Sequence, residues 1–304
     1  MRLVTRSDFD GLVCAMILKE AHLIDDIKFV HPKDVQDGMI DISDNDITTN
    51  LPLDTRAHLC FDHHESELTR NQGYDREKWI IDGNARSAAR VVYNYYKDKY
   101  DLHRISDEIM YAVDKGDSAD FTREEVLNPT GWVLLNFIMD SRTGLGRFHD
   151  FRISNYDLMM ELIDYCLEHP INDILELPDV KERVDMYFAH QELYKEQINR
   201  VAHQEGRCVV VDIRNEETIY TGNRFLIYVL FPDAEYSIHV ARGFQGQNTP
   251  LMIGKSIFKN ETDKDIAELC LRYGGGGHRK AGTCQVANED ADRILSEIVA
   301  YLNS

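Results

Sequence analysis

The chain has 304 residues, of which 43% are hydrophobic and 29% charged, a folding composition with material for about two domains of roughly 150 residues each. With 34 Lys+Arg against 53 Asp+Glu the formal charge is −19, so the surface repels long polyphosphate backbones unless basic groups are gathered in one place. No apolar run reaches the roughly 18–20 residues of a bilayer span, and the N-terminal Met-Arg-Leu-Val-Thr-Arg turns polar too early for a signal peptide. Six scattered cysteines without a Cys-x-x-Cys pair read as buried, reduced thiols of a cytoplasmic protein.

In chain order, residues 3–5 predict a short strand, and residues 11–24 a helix with Leu12, Ala15, Met16 and Leu18 on its apolar side. Strands follow over 27–30, 46–51 and 57–61, the last apolar almost throughout, as a fully buried parallel strand is. A helix over 87–100 completes an α/β alternation. It predicts a parallel sheet covered on both faces, with its site at the carboxyl ends of the strands. Residues 105–169 have helical patterns. The stretch 180–202, without Pro or Gly and rich in charge, predicts a helix joining two lobes. Beyond it come strands over 208–213, 236–241 and 251–258, a helix over 265–273, four glycines at 274–277, a strand near 282–286 and a helix over 289–302. The expected division is a domain over 1–179, a helical linker over 180–203 and a smaller α/β domain over 204–304. That last segment carries 11 basic and 14 acidic residues, a net of −3 against −16 for the first 203 residues, so an anionic substrate is expected to be gripped there.

Four constellations carry chemistry. Ser7-Asp8-Phe9-Asp10-Gly11 lies between a strand and a helix. Read alone, it is either a capped helix start or a pair of carboxylates for a hard divalent cation. Phe61-Asp62-His63-His64-Glu65 ends a buried strand, where an imidazole can bind a metal and a carboxylate can orient it. Asp114, Asp117 and Asp120 lie in an acidic stretch closing a helical segment; one of them could complete a metal site, or all could belong to a solvated loop. The fourth is Gly274-Gly275-Gly276-Gly277-His278-Arg279-Lys280, whose glycines allow close backbone approach to an anion and whose basic residues follow at once.

Together these residues resemble the DHH phosphoesterase family: Asp8-x-Asp10-Gly11, the name-giving Asp62-His63-His64, an acid near Asp117, and the GGGH loop at Gly275, Gly276, Gly277 and His278. The resemblance spans almost the whole chain in the family's order. Thr49-Asn50-Leu51-Pro52 and the compact length look most like the exopolyphosphatase-related group. The resemblance implies a Mn2+- or Mg2+-dependent hydrolase, with two ions in the family's usual form. Asp8, Asp10, His63 and Asp117 are the implied metal ligands, with Asp114 and Asn50 in reserve. Asp62 is the implied orienter and His64 faces phosphate. Gly275, Gly276, Gly277, His278 and Arg279 are implied to hold substrate, with Arg242 as a further helper.

Two positions depart from the family pattern. Val4 stands where a metal-binding His is usual, and Asn50 where a bridging Asp is usual; Asp41, Asp44, Asp46 and Asp54 are the other acids near that position. The expected activity is hydrolysis of phosphodiester or phosphoanhydride bonds in a small phosphorylated substrate or short single-stranded oligonucleotide, not duplex DNA or a membrane, with a homodimer left open. The alternative is a nucleotide- or phosphate-binding relative with a degenerate metal site.

Overall fold

The computed structural model describes residues 1–64, 67, 71, 73, 75–259 and 264–304; Glu65 lies outside the described residues. The chain forms two compact units. The first comprises residues 1–121 and 128–187, the second 122–127 and 188–304. The helix Pro178–Val201 carries the boundary between 187 and 188. The short segment 122–127 joins the second unit through specific contacts. Asn223 Nδ2 donates to the Val126 carbonyl at 2.8 Å, Gln191 Nε2 to that of Leu127 at 2.6 Å, and the Arg123 guanidinium lies 4.7 Å from the Phe258 ring centroid.

The first unit is built on five parallel strands: β1 (Arg2–Arg6), β2 (Asp26–Val30), β3 (Asp46–Thr49), β4 (Leu59–Asp62) and β5 (Trp79–Ile81). Their spatial order is β2-β1-β3-β4-β5. Alternation along β1 assigns its two faces. Leu3 packs into a core shared with the helices Phe9–Glu20, Ala88–Tyr96, Asp107–Asp117 and Asn155–Glu168. Val4 packs into a second cluster with Val30, Val35, Ile40, Ile42, Leu51, Cys60 and Trp79. Helices therefore cover one face; a short helix, Pro32–Gln36, and irregular chain supply the other. The Phe9–Glu20 helix is buried on nearly every side, including both Leu12 and Val13, so no single apolar stripe describes it.

The second unit holds a mixed sheet of β6 (Ala202–Glu205), β7 (Cys208–Asp212), β8 (Tyr236–Val240), β9 (Thr249–Lys255), β10 (Gly276–His278) and β11 (Ala281–Val286), ordered β10-β11-β9-β8-β7-β6. Among these described strands, only β7 and β8 pair in parallel. The helices Ile266–Leu271 and Ala291–Asn303 pack on its apolar face through residues such as Leu269, Ile298 and Leu302. All six cysteines are buried and none forms a disulfide. No helix among the described residues is long and apolar enough to cross a membrane.

Candidate active site

The strand order reverses direction at β1, with β2 on one side and β3 on the other. Open parallel sheets place their sites at the carboxyl ends of strands beside such a reversal. Asp8 follows β1, Asn50 follows β3, and Asp62 closes β4 with His63 directly after it.

Asp8 is the N-cap of the Phe9–Glu20 helix: its Oδ1 accepts from the Gly11 amide at 3.0 Å, and its Oδ2 lies 2.9 Å from Arg6 Nε. Gly11 is required by this turn, because a Cβ there would lie 1.9 Å from the Arg6 carbonyl oxygen. Asp10, on the same first turn, is 3% exposed. Its two oxygens accept from the backbone amides of Ala88 and Ala89, at 2.9 and 2.8 Å, in the first turn of the Ala88–Tyr96 helix. Those dipolar groups favour a carboxylate there and lock its orientation.

His63 Nδ1 lies 3.3 Å from the Ala85 carbonyl oxygen, and its Nε2 lies 3.1 Å from Asp117 Oδ2. Asp10, His63 and Asp117 each offer one donor atom, and these atoms all lie within 4.8 Å of one another. Asp117 ends the Asp107–Asp117 helix, where the helix dipole disfavours an anion. Asp114, one turn earlier, is committed elsewhere: it accepts from Ser87 Oγ at 2.7 Å and from Arg90 Nε and Nη2 at 2.9 and 2.6 Å. Of the two acids in that segment, the structure brings Asp117 to the cluster.

The electrostatics call for positive charge. Burial pushes the Asp10 carboxyl up to about 8, and the charges of Asp117 and Asp8 push the same way. Burial alone would lower the His63 imidazole, but Asp117, by charge and hydrogen bond, and then Asp10 outweigh it and raise it to about 10. Beside this cluster Asp62 Oδ1 meets His64 Nδ1 at 2.6 Å. Burial would raise the Asp62 carboxyl, but His64 and His63 outweigh it and hold it below its ordinary value. The other oxygen of Asp62 is buried without a hydrogen-bond partner, and so is Asn50 Oδ1. Two carboxylates and an imidazole in mutual reach, next to an unpartnered buried amide oxygen, fit a hard divalent cation.

The departures from the family pattern resolve clearly. Val4 is fully buried in an apolar cluster. Asn50 does stand at the site: its Nδ2 lies 3.5 Å from Asp8 Oδ1, and its φ of +54° turns the chain as it leaves β3. The nearby acids do not replace it. Asp46 is held by Arg2 and Ser43, and Asp54 by Arg56. Asp44 is 79% exposed beside Lys78 and His58, and Asp41 is exposed.

In the second unit, Gly276–His278 forms the edge strand β10. The close approach of Gly275 is to the chain's own backbone: a Cβ there would lie 2.2 Å from the Thr283 carbonyl oxygen. His278 pairs with Ala281, and Ala281 with Gly254. Arg242 follows β8 at the other end, beyond the Val240–Leu251 pair. The register therefore separates Arg242 from His278, by roughly 15–20 Å at about 3.3 Å per residue. Sequence reasoning missed the Ala88 and Ala89 amides and Arg6. Ser87 before an Ala-Ala helix start was the signal for the first, since Ser is a preferred N-cap.

A strand-end cluster of oxygen and imidazole donors on a parallel sheet suits metal-dependent hydrolysis, the chemistry of a phosphoesterase. The chain is similar to a pGpG-specific phosphodiesterase, PggH, from Vibrio cholerae: 55% identical, covering 99% of this chain and 98% of that chain, with a TM-score of 0.78. At 13% identity it shares its fold with the DHH domain of a member of a ribosomal-protein family (100% and 86% covered, TM-score 0.56) and with RecJ from Thermus thermophilus, solved with Mn2+ (99% and 52% covered, TM-score 0.54). No protein-family model matches the chain, and no curated protein does. The chain belongs to the DHH family of phosphoesterases, and it is a hydrolase.

Proposed function

We propose that the protein is a divalent-cation-dependent phosphodiesterase of short linear dinucleotides, with pGpG as substrate and GMP as product. The observation that carries this reading is the 55% identity, across nearly the whole of both chains, with a pGpG-specific phosphodiesterase. The formal charge of −19 supports a short substrate over a long polyanion.

Asp10, His63 and Asp117 would hold the cation, Mn2+ or Mg2+, with Asp8 beside them. Bound there, it supplies Lewis-acid polarisation of a phosphoryl oxygen and a water acidified for attack. The protein's own groups do the rest. The Ala88 and Ala89 amides keep the Asp10 carboxylate from turning. The Ala85 carbonyl accepts the Nδ1 proton of His63, so that Nε2 is the atom turned to the cluster. Asp62 fixes the His64 ring through Nδ1, and His64 is the imidazole proposed to meet a phosphoryl oxygen. A second ion would depend on Asp8 and Asn50. A neutral amide screens two cations from each other less than a carboxylate does, so one firmly held ion is proposed. A substrate-binding role for Gly275, Gly276, Gly277, His278 and Arg279 is proposed from the family motif, and His278→Ala tests it separately.

The test is product analysis with Mn2+ across pGpG, GpG, a cyclic dinucleotide, polyphosphate and pyrophosphate. The expected result is conversion of each pGpG to two GMP, fastest of the set. Preferential hydrolysis of pyrophosphate or polyphosphate would overturn the substrate and favour the exopolyphosphatase-related group.

A further inference from the structure

A short turn follows the Gly131–Met139 helix and carries Arg142 on Ser141–Thr143. Asp140 holds it at two points: Oδ1 accepts from the Arg142 amide at 2.9 Å and from its Nε at 2.7 Å. The buried Thr143 hydroxyl donates to the Phe137 carbonyl at 2.5 Å. Gly144, at φ +91°, ends the turn in the left-handed region. The base of the Arg142 side chain is thus anchored, and its direction is set by Asp140.

The far end of the side chain is left over. Arg142 is 43% exposed, and its Nη1 and Nη2 form no hydrogen bond among the described residues. Its charge is felt at the site. Burial works against it, but Asp140, then Asp8 and Asp117, outweigh burial and raise its pKa. The Gly131–Met139 helix that leads into this turn packs on the end of Asp107–Asp117: a Cβ on Gly116, next to Asp117, would lie 2.5 Å from Asn136 Oδ1, so the turn carrying Arg142 follows the helix that flanks Asp117. Arginines nearby are spent on protein partners: Arg90 on Asp114, Arg86 on Ser118 and Asp120. A guanidinium pinned through Nε, with two open nitrogens at the border of an acidic cluster, has the fork geometry that suits two oxygens of one phosphoryl group.

We propose that Arg142 is a substrate-binding residue whose Nη1 and Nη2 hold the non-bridging oxygens of the scissile phosphoryl group, with Asp140 as its positioning partner. The proposal rests on the phosphodiesterase reading above. It assigns to the first unit a cationic contact for an anionic substrate that its acidic cluster would otherwise repel. No covalent step passes through Arg142.

The experiment uses the full chain with Mn2+ and the pGpG analogue carrying a phosphorothioate at the internal linkage. Calorimetry reads analogue affinity and, separately, Mn2+ affinity and stoichiometry. Arg142→Ala is expected to weaken analogue binding about 10- to 100-fold, the scale of a lost charge-assisted hydrogen-bond pair, and to leave Mn2+ binding unchanged. Arg142→Lys is expected to recover part of that loss, because an ammonium cannot keep Asp140 and two phosphoryl oxygens at once. Asp140→Asn, which loosens the anchor and keeps the guanidinium, is expected to weaken binding several-fold and covers the case in which Arg142→Ala does not fold. Analogue affinity equal to the parent's in Arg142→Ala would overturn the proposal. So would a variant whose Mn2+ affinity changes while its metal-loaded form binds analogue normally, since Arg142 would then only balance the carboxylates. A parent that neither binds the analogue nor hydrolyses any phosphodiester overturns the functional reading itself, before any variant is compared.

Discussion

Asn50 places its amide nitrogen 3.5 Å from Asp8 Oδ1, and its amide oxygen is buried without a hydrogen-bond partner. A neutral side chain therefore sits where a carboxylate would add a third negative charge next to Asp8 and Asp10. Asn50→Asp is expected to lower the melting temperature in EDTA, because like charges crowd a buried site. It is also expected to steepen stabilisation by Mn2+, because a cation that binds only the folded state stabilises by mass action. Thermal melts across a Mn2+ titration check this. A variant that melts like the parent at every Mn2+ concentration would remove Asn50 from the cation's surroundings. Val4→His is not a route to better metal binding: Val4 lies in an apolar cluster with Val30, Val35 and Leu51, and an unpartnered imidazole there costs about 1–3 kcal/mol.

Asp10 accepts from two backbone amides and is proposed to bind the cation, and Asp10→Asn separates the two roles. An amide can accept from only one of the Ala88 and Ala89 N–H groups and turns a donor toward the other, which costs about 1–3 kcal/mol for a buried unsatisfied group. Hydrolysis is expected to fall roughly a thousandfold, the scale of several kcal/mol of lost transition-state stabilisation. Chemical denaturation measures the first effect, and turnover under fully folding conditions the second. Near-parental turnover would take Asp10 out of the metal site.

Asp62→Asn is expected to act through His64. The Asp62–His64 contact of 2.6 Å is lost as a charged pair, and the ring is free to turn. Loss of such an orienting partner typically costs about 10- to 100-fold in activity or metal affinity. The expectation here is a fall in kcat with little change in Mn2+ binding. Unchanged kcat would mean that His64 needs no orientation.

Gly11→Ala tests the turn. Its Cβ would lie 1.9 Å from the Arg6 carbonyl oxygen and 2.9 Å from Thr5 Oγ1, so β1 and the helix after it must separate. A destabilisation of about 3 kcal/mol or more is expected, as for the severe steric class of substitutions. A variant as stable as the parent would show that the turn yields without cost.

The half-buried His239 on β8 gives a pH signature in the second unit. Burial, aided by the Arg224 charge, lowers its imidazole to about 4. The folded state thus resists a proton that the unfolded chain takes up near its ordinary value of about 6.5. Stability tied to this group is present above about 6.5 and is lost as pH falls from there through about 4. Partial exposure reduces its size to the order of 1–2 kcal/mol, below the roughly 3.4 kcal/mol that such a drop would carry in a fully buried group at ~1.4 kcal/mol per unit. Denaturation midpoints between pH 7 and 4 should fall less steeply in His239→Gln than in the parent. Parallel curves would rule His239 out as a source of acid sensitivity.

The sequence by itself determined the strands β1 to β4 and the helices that begin after Asp8 and Ser87, because buried parallel strands and helix starts leave local marks: apolar runs, and Asp8 and Ser87 as caps. It also determined the residue types of the cluster, since Asp10 and His63 stand in short motifs at strand ends and Asp117 in an acidic helix end, where oxygen and imidazole donors suit a cation. The short strands β5, β6 and β10 were not legible, because three or four residues carry too little pattern to mark a strand. The family resemblance put Asp117 before Asp114, but the physical reason belonged to tertiary structure: both lie at one helix end, and only packing shows that Ser87 and Arg90 claim Asp114. The same holds for Arg142, whose turn lies far along the chain from the carboxylates that feel its charge. Local sequence sets backbone preference and the supply of charged groups. Which charges meet is decided when the sheet brings the ends of β1, β3 and β4 together, and burial then makes each partner count.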